Sequence, residues 1–306
     1  MSVTMTPQPD QATRLAELAA ESEPVRSPVL WRTRTRSILR HVVMIAAAAL
    51  MIYPLLWMLG ASFKPTEEIF RNLSIIPDQW HPENYPDGWN AFQTSFSRYM
   101  LNSLTIVAGA LVGNLVSCSM AAYAFARLQF KGRNLWFMIM LVTIMLPVHV
   151  LIVPQYIMFN QLEWINTFWP LIVPKLLATD AFFIFLMVQF FRGIPKELEE
   201  AARLDGCGHG RIFGQVMLPL ATPALATTAI FTFIWTWNDF FSQLIFLTTD
   251  EMKTAPLALR NFLDSSSGSS WGPMFAMSIV TIIPIFLVFL LGQKYLVKGI
   301  ATTGIK

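Results

Sequence analysis

The chain has 306 residues, of which 54% are hydrophobic and only 13% charged, with a formal net charge of +3. A soluble domain carries about 25% charged residues, so this composition argues against water as the main solvent and for lipid. The basic residues lie in short clusters between apolar runs and not on one polar face, which argues against a nucleic-acid binder.

Residues 1–40 come first. They are polar, acidic and Ala-rich up to Pro28, with Pro7, Pro9 and Pro24 working against a continuous helix and no apolar run of the kind a signal peptide needs. A disordered cytoplasmic tail is expected there. A spanning helix needs about 20 mostly apolar residues. Residues 41–63, free of Asp, Glu, Lys and Arg, are the first such run. Residues 64–98 form a long loop with Trp80, Tyr85 and Trp89 set between prolines, which suits an ordered cap at a membrane interface. Further apolar runs follow at 99–126, 134–162, 169–191, 220–247 and 274–292. The fourth span, 169–191, is the weakest because Lys175 and Asp180 interrupt it, and Asp239 interrupts the fifth. Residues 294–306 make a basic tail. The expectation is an all-α integral membrane protein with six transmembrane helices.

Basic residues orient the spans, because cytoplasmic flanks are enriched in Lys and Arg. Sixteen of them lie before the first span, between spans two and three, between four and five, and after the sixth, against five on the opposite side. Both termini are therefore expected in the cytoplasm, with the loops 64–98 and 248–272 outside. Pro54, Pro147, Pro154, Pro174 and Pro284 fall inside spans. Each frees a backbone carbonyl and can kink its helix, which suits either a moving bundle or ordinary packing irregularity. No inverted repeat is visible, which weakens an ion-coupled secondary transporter of a small polar solute, the alternative reading.

The cytoplasmic segment 193–219 is the most informative. Pro195 suits a helix start, Lys196 to Leu204 are strong helix formers with acids in the first turn, and Gly206 can end the helix in a left-handed turn. A second short helix from Gly210 would lead back to the membrane at Pro219 and Pro223. The first helix presents Ala201 and Ala202, small side chains that let a partner approach closely. It reads as a docking element.

These residues carry a resemblance. Glu200-Ala201-Ala202, then Gly206, then Val216-Met217-Leu218-Pro219 is similar to the signature loop of importer-type ABC permeases. Val216 stands where Ile is commoner, and Cys207 where Ala is. Ala121-Ala122-Tyr123-Ala124-Phe125-Ala126-Arg127, Trp237-Asn238-Asp239-Phe240 and Tyr295-Leu296-Val297-Lys298-Gly299-Ile300 resemble the maltose-type carbohydrate permeases. The resemblance implies the type I importer permease fold, with a permease core over 99–293 and a coupling loop over 193–219. It implies a multi-pass protein of the bacterial cell membrane, a homologous second permease subunit, two ATPase subunits and an extracytoplasmic sugar-binding protein. Glu200, Ala201, Ala202, Asp205 and Gly206 would couple to the ATPase. No Gly-x-x-x-x-Gly-Lys-Ser/Thr loop is present, so the chain is expected to be no enzyme and to hold no cofactor, with ATP and Mg on the partner subunits.

Three residues are candidates for the substrate pathway. Asp180 lies about 18 Å from the cytoplasmic end of its span, near mid-membrane, if that span is one helix. An acid there should face a wet cavity or a partner, and a carboxylate accepts well from sugar hydroxyls. A pair with Lys175 is the competing reading, but a spacing of five puts the two on different faces of a continuous helix. Asn238 and Asp239 lie near the outer end of span five, and Trp235 and Trp237 beside them suit an interfacial aromatic belt. His149 in span three is expected to be a packed, hydrogen-bonding residue. Ser266, Ser267, Gly268 and Ser269 form a polar stretch that is either a solvated linker or, on the resemblance, a finger touching the binding protein.

Overall fold

In the computed structural model, residues 29–263 and 270–303 are described. They are helical, without a strand among them. Four helical segments of the described residues are long and apolar enough to cross a membrane: Ser37–Ala61, Phe96–Arg127, Trp169–Gly193 and Trp271–Tyr295. Two further pairs of helices pass the same test as broken spans, which gives six if each pair counts once.

The chain divides into two units, residues 1–56 and 57–306. The described part of the first is the body of α1 (Val29–Ala61). This helix starts at Val29, so the expected disordered tail cannot extend to residue 40, and residues 1–28 lie outside the described residues. Leu50, Met51 and most other large side chains of α1 are exposed, as expected of a helix solvated by lipid.

In the second unit, the cap after α1 is ordered by buried polar groups. Lys64 is fully buried, and its ammonium donates to the carbonyls of Asn72 (2.6 Å) and Ser74 (2.7 Å). Asn84, on the short helix Asn84–Trp89, donates to the carbonyls of Ser62 (3.0 Å) and Lys64 (2.8 Å). Phe63 packs its ring against Trp80 and Tyr85. Each buried donor thus meets an otherwise free carbonyl of the loop.

Helix α2 (Phe96–Arg127) is the spine. It packs against α5 (Trp169–Leu176), α6 (Ala181–Gly193) and α8 (Thr222–Trp237), and α8 packs in turn against α9 (Trp271–Thr303). Gly109 and Gly113 lie one turn apart on α2. A Cβ at Gly113 would stand 2.9 Å from the backbone carbon of Lys175, and one at Gly109 would strike the Ile172 side chain at 2.8 Å. This small-x-x-x-small spacing lets α2 and α5 approach at backbone distance.

Three expected spans are not continuous helices. The third breaks between α3 (Arg133–Ile144) and α4 (Val148–Gln161), where Pro147 has no N–H to offer the ladder. The fourth breaks between α5 and α6, with Ala178 in the left-handed region (φ 56°). The fifth begins after a bend of 77° at residue 221 and stops at Trp237; Asn238 caps it, and the short helix Phe241–Phe246 follows. Apolar runs lie on both sides of each break, so composition alone read each pair of helices as one span.

Candidate functional site

Two polar centres lie on α2, and a third element hangs from its end. The first centre is at mid-helix. Because the chain breaks after α5, Lys175 and Asp180 are not held to the geometry of one helix. The Lys175 ammonium reaches both oxygens of Asp180, at 3.0 and 2.9 Å. This corrects the expectation that a spacing of five separates them. Asn114 of α2 donates to Asp180 (2.6 Å), and its amide also meets Thr232 of α8 (3.1 Å). Ser117 of α2 donates to the Lys175 carbonyl (2.7 Å). Gly113 makes the backbone approach that this set requires, so Gly113, Asn114 and Ser117 present one face of α2 to the break.

The pair is not sealed. The side chains of Lys175 and Asp180 retain 30% and 24% of their exposure. Lys175 lines a cavity of about 420 Å³ together with Asn238, Asp239, His149, Trp235 and Gln243. The structure thus brings Asn238 and Asp239 to the same cavity as the partner of Asp180. Asn238 also donates to the Ile234 carbonyl (2.8 Å), and Asp239 accepts from the Ser242 N–H (3.0 Å), so both cap helix ends. His149 lies against the Phe241 ring, 4.8 Å between centroids. The two tryptophans differ from the expected aromatic belt. Trp237 is buried, stacked on Phe233, and donates to the Thr281 carbonyl (3.2 Å). Trp235 is half exposed and packs on Phe182 and Phe183.

The second centre is near the start of α2. Tyr99 donates to Asp250 (2.7 Å), and Asn102 donates to the carbonyls of Glu251 and Lys253, both at 2.8 Å. Burial opposes ionisation of Asp250, but hydrogen bonds from Tyr99, Thr94 and Lys253 outweigh it and hold the carboxyl below the usual carboxylate range. The loop that follows α8 is thereby tied to α2. Ser266, Ser267, Gly268 and Ser269, farther along, lie outside the described residues.

The third element is the expected docking helix, α7 (Lys196–Leu204), with Pro195 as its N-cap residue. Gly206 has φ +79°, its N–H meets the Arg203 carbonyl, and the Cys207 N–H meets the Ala202 carbonyl. These two bonds are a Schellman stop, which glycine permits because no Cβ opposes positive φ. Helix α7 is fastened to α2 through charge. Glu199 is 6% exposed and lies 3.9 Å from Arg127 and 2.8 Å from Arg203. Arg127, the last residue of α2, also donates to the carbonyls of Phe191 and Ile194.

Glu200, Ala201, Leu204 and Asp205 are exposed. Ala202 is partly exposed and also packs against the core under α7. Leu204 is 90% exposed, although it is a large apolar side chain on a charged helix. Sequence reasoning missed Arg127, Glu199, Leu204 and Asn114. A signal existed for Leu204, because a leucine among the last residues of a polar helix needs a cover. Asn114 and Arg127 could be assigned only once the partners of α2 were known.

Comparison with known proteins bears on the whole of this arrangement. Residues 113–302 match the family described as binding-protein-dependent transport system inner membrane component. The chain is 38% identical over 254 residues to YurM, a probable ABC transporter permease protein of Bacillus subtilis strain 168, covering 83% of each chain. It is 32% identical over 289 residues to NgcG, a diacetylchitobiose uptake system permease protein of Streptomyces coelicolor, covering 94% of this chain and 92% of that one. In fold it is similar to a chain of a bacterial ABC transporter involved in the import of alginate, with a TM-score of 0.76, 23% identity, and coverage of 90% of this chain and 100% of that one. The chain belongs to the inner membrane component family of binding-protein-dependent transport systems, the permeases of ABC importers.

Proposed function

We propose that this chain is one permease subunit of an ATP-driven sugar importer of the bacterial cell membrane, with both termini in the cytoplasm. It forms half of the translocation pathway beside a homologous second permease. Helix α7 docks on an ATPase subunit, and two such subunits hold ATP and Mg. A sugar-binding protein delivers substrate from the other side, where residues 266–269 are its contact.

The observation that carries this reading is the design of α7. It is stopped by a Schellman turn and anchored by a buried acid, yet it leaves Leu204 uncovered. An element built this way transmits force between a partner at its exposed face and α2 at its buried face. The charges that anchor it, Arg127 and Glu199, act through the last turn of α2, so a push on α7 reaches the mid-helix centre along one rigid rod. The sugar assignment is supported by the diacetylchitobiose relative and by the cavity beside Lys175, whose carboxamide, carboxylate and indole groups suit hydroxyls and a sugar's apolar face. Asp180, Asn238 and Asp239 are assigned to that pathway.

Gly206→Val tests the docking. Nothing lies within 4 Å of a Cβ at this position, so the change acts on backbone conformation and not on packing. A side chain in the left-handed region costs about 1–2 kcal/mol, enough to misdirect the end of α7 while leaving the membrane helices intact. The variant is expected at wild-type level in the membrane, with recovery of the ATPase subunit on co-purification reduced about tenfold. Recovery equal to wild type would count against docking through α7.

A further inference from the structure

We propose that a basic pocket at the junction of α2, α3, α6 and α7 binds the phosphate of an anionic phospholipid. The pocket encloses about 490 Å³. Arg127, Arg133, Arg192, Lys196 and Arg203 line it, against two carboxylates, Glu199 and Glu200. The charges do not cancel locally. Glu199 is committed to Arg127 and Arg203. Among the described residues, Arg133, Arg192 and Lys196 have no carboxylate within 4.0 Å. Arg133 donates to the Leu128 carbonyl (3.2 Å), and the Arg192 guanidinium lies 5.1 Å from the centre of the Phe137 ring.

A second observation points to a ligand. The Arg127 side chain is 4% exposed, and its Nε is buried without a hydrogen-bond partner. A buried N–H left unmade is costly, and an acceptor oxygen in the pocket would relieve it. Phosphate supplies several such oxygens and a charge that matches Arg and Lys donors.

A free phosphate and a lipid headgroup share this chemistry. The surroundings favour the lipid. The pocket sits where the ends of apolar helices meet, and Phe130, Leu135 and Trp136, which flank its lining residues Gln129 and Arg133 in the chain, are 41%, 54% and 58% exposed. A headgroup in the pocket would place its acyl chains along those side chains, which a soluble anion would leave bare. Basic pockets between membrane helices on the cytoplasmic side are suited to such headgroups. The inference does not depend on docking to an ATPase, because its test reads lipid retention by the purified full chain.

The test is native mass spectrometry of the purified full chain, offered phosphatidylglycerol and phosphatidylcholine in equal amount. Phosphatidylglycerol is expected to be retained about tenfold over phosphatidylcholine, a preference of about 1.4 kcal/mol. Lys196→Gln, at an exposed position without an ion pair, should reduce that preference several-fold, and Arg133→Gln/Arg192→Gln/Lys196→Gln should abolish it. Millimolar inorganic phosphate should leave lipid occupancy unchanged. Equal retention of the two lipids by the wild type would overturn the proposal. So would wild-type preference in Lys196→Gln, which decides the matter should the triple variant fail to fold. Displacement of the lipid by inorganic phosphate would assign the pocket to a free anion instead.

Discussion

Two polar centres on the same helix solve the problem of burying polar groups in different ways. At the start of α2, Asn102 spends its amide on two backbone carbonyls, those of Glu251 and Lys253, and is 3% exposed. At its middle, Asn114 meets Asp180, whose charge is balanced by Lys175, and both charged side chains keep about a quarter or more of their exposure beside a cavity. Asn102 is neutral and directed only at the backbone, and the charge beside it, Asp250, is tied to Tyr99 and to Lys253 of its own loop, so this centre holds a loop in place. The second retains charge and access to solvent at mid-span, where charge is costly unless it is paired or wet. A fold that only needed to tie α2 to its neighbours had the cheaper solution available and uses it elsewhere in the same helix. The Lys175–Asp180 centre, charged at mid-span and open to a cavity, is therefore the one with a task beyond packing.

The comparison can be broken first at Asn102. Asn102→Leu roughly keeps the size but takes the side-chain donor from the carbonyls of Glu251 and Lys253, at up to about 1–3 kcal/mol each. The variant should lose several degrees of melting temperature and yield, with substrate affinity per folded complex unchanged. A stable variant with weakened affinity would reverse the assignment of the two centres.

A smaller effect is expected at the charged end. Asp180→Asn preserves shape and the contact with Asn114 but removes the acceptor charge opposite Lys175. Charge-assisted hydrogen bonds contribute roughly 1.5–3 kcal/mol, so a substrate that shares Asp180 should lose affinity or transport by about tenfold while assembly with the ATPase survives. If the pair serves packing alone, the melting temperature falls instead and transport per assembled complex stays constant.

The legible part of this molecule was what periodicity and charge encode. Six apolar runs, the α7 helix and its stop at Gly206 follow from residue types in local order, and the structure places Gly206 in the left-handed region as glycine chemistry requires. The family was legible for the same reason, since the Glu200-Ala201-Ala202 to Pro219 pattern is local. What was not legible depended on breaks. The apolar runs on both sides of residues 177–180 suggested one span, which concealed the end of α5 and with it the geometry that brings Lys175 to Asp180. Trp237 resembled a belt residue because its burial depends on α9, far away in sequence. The Gly109 and Gly113 spacing was visible as letters, yet its meaning required knowing that α5 lies against it. The ion-coupled alternative falls with the family assignment.

The central claim is that the exposed face of α7 is covered by an ATPase subunit, and Leu204 is the place to test it. A photoreactive phenylalanine analogue at position 204 should cross-link to the ATPase subunit in the purified complex. The same group at position 101, exposed on the apolar surface of α2, should not. An assembled complex that cross-links at neither position, or at 101 in place of 204, would contradict the account.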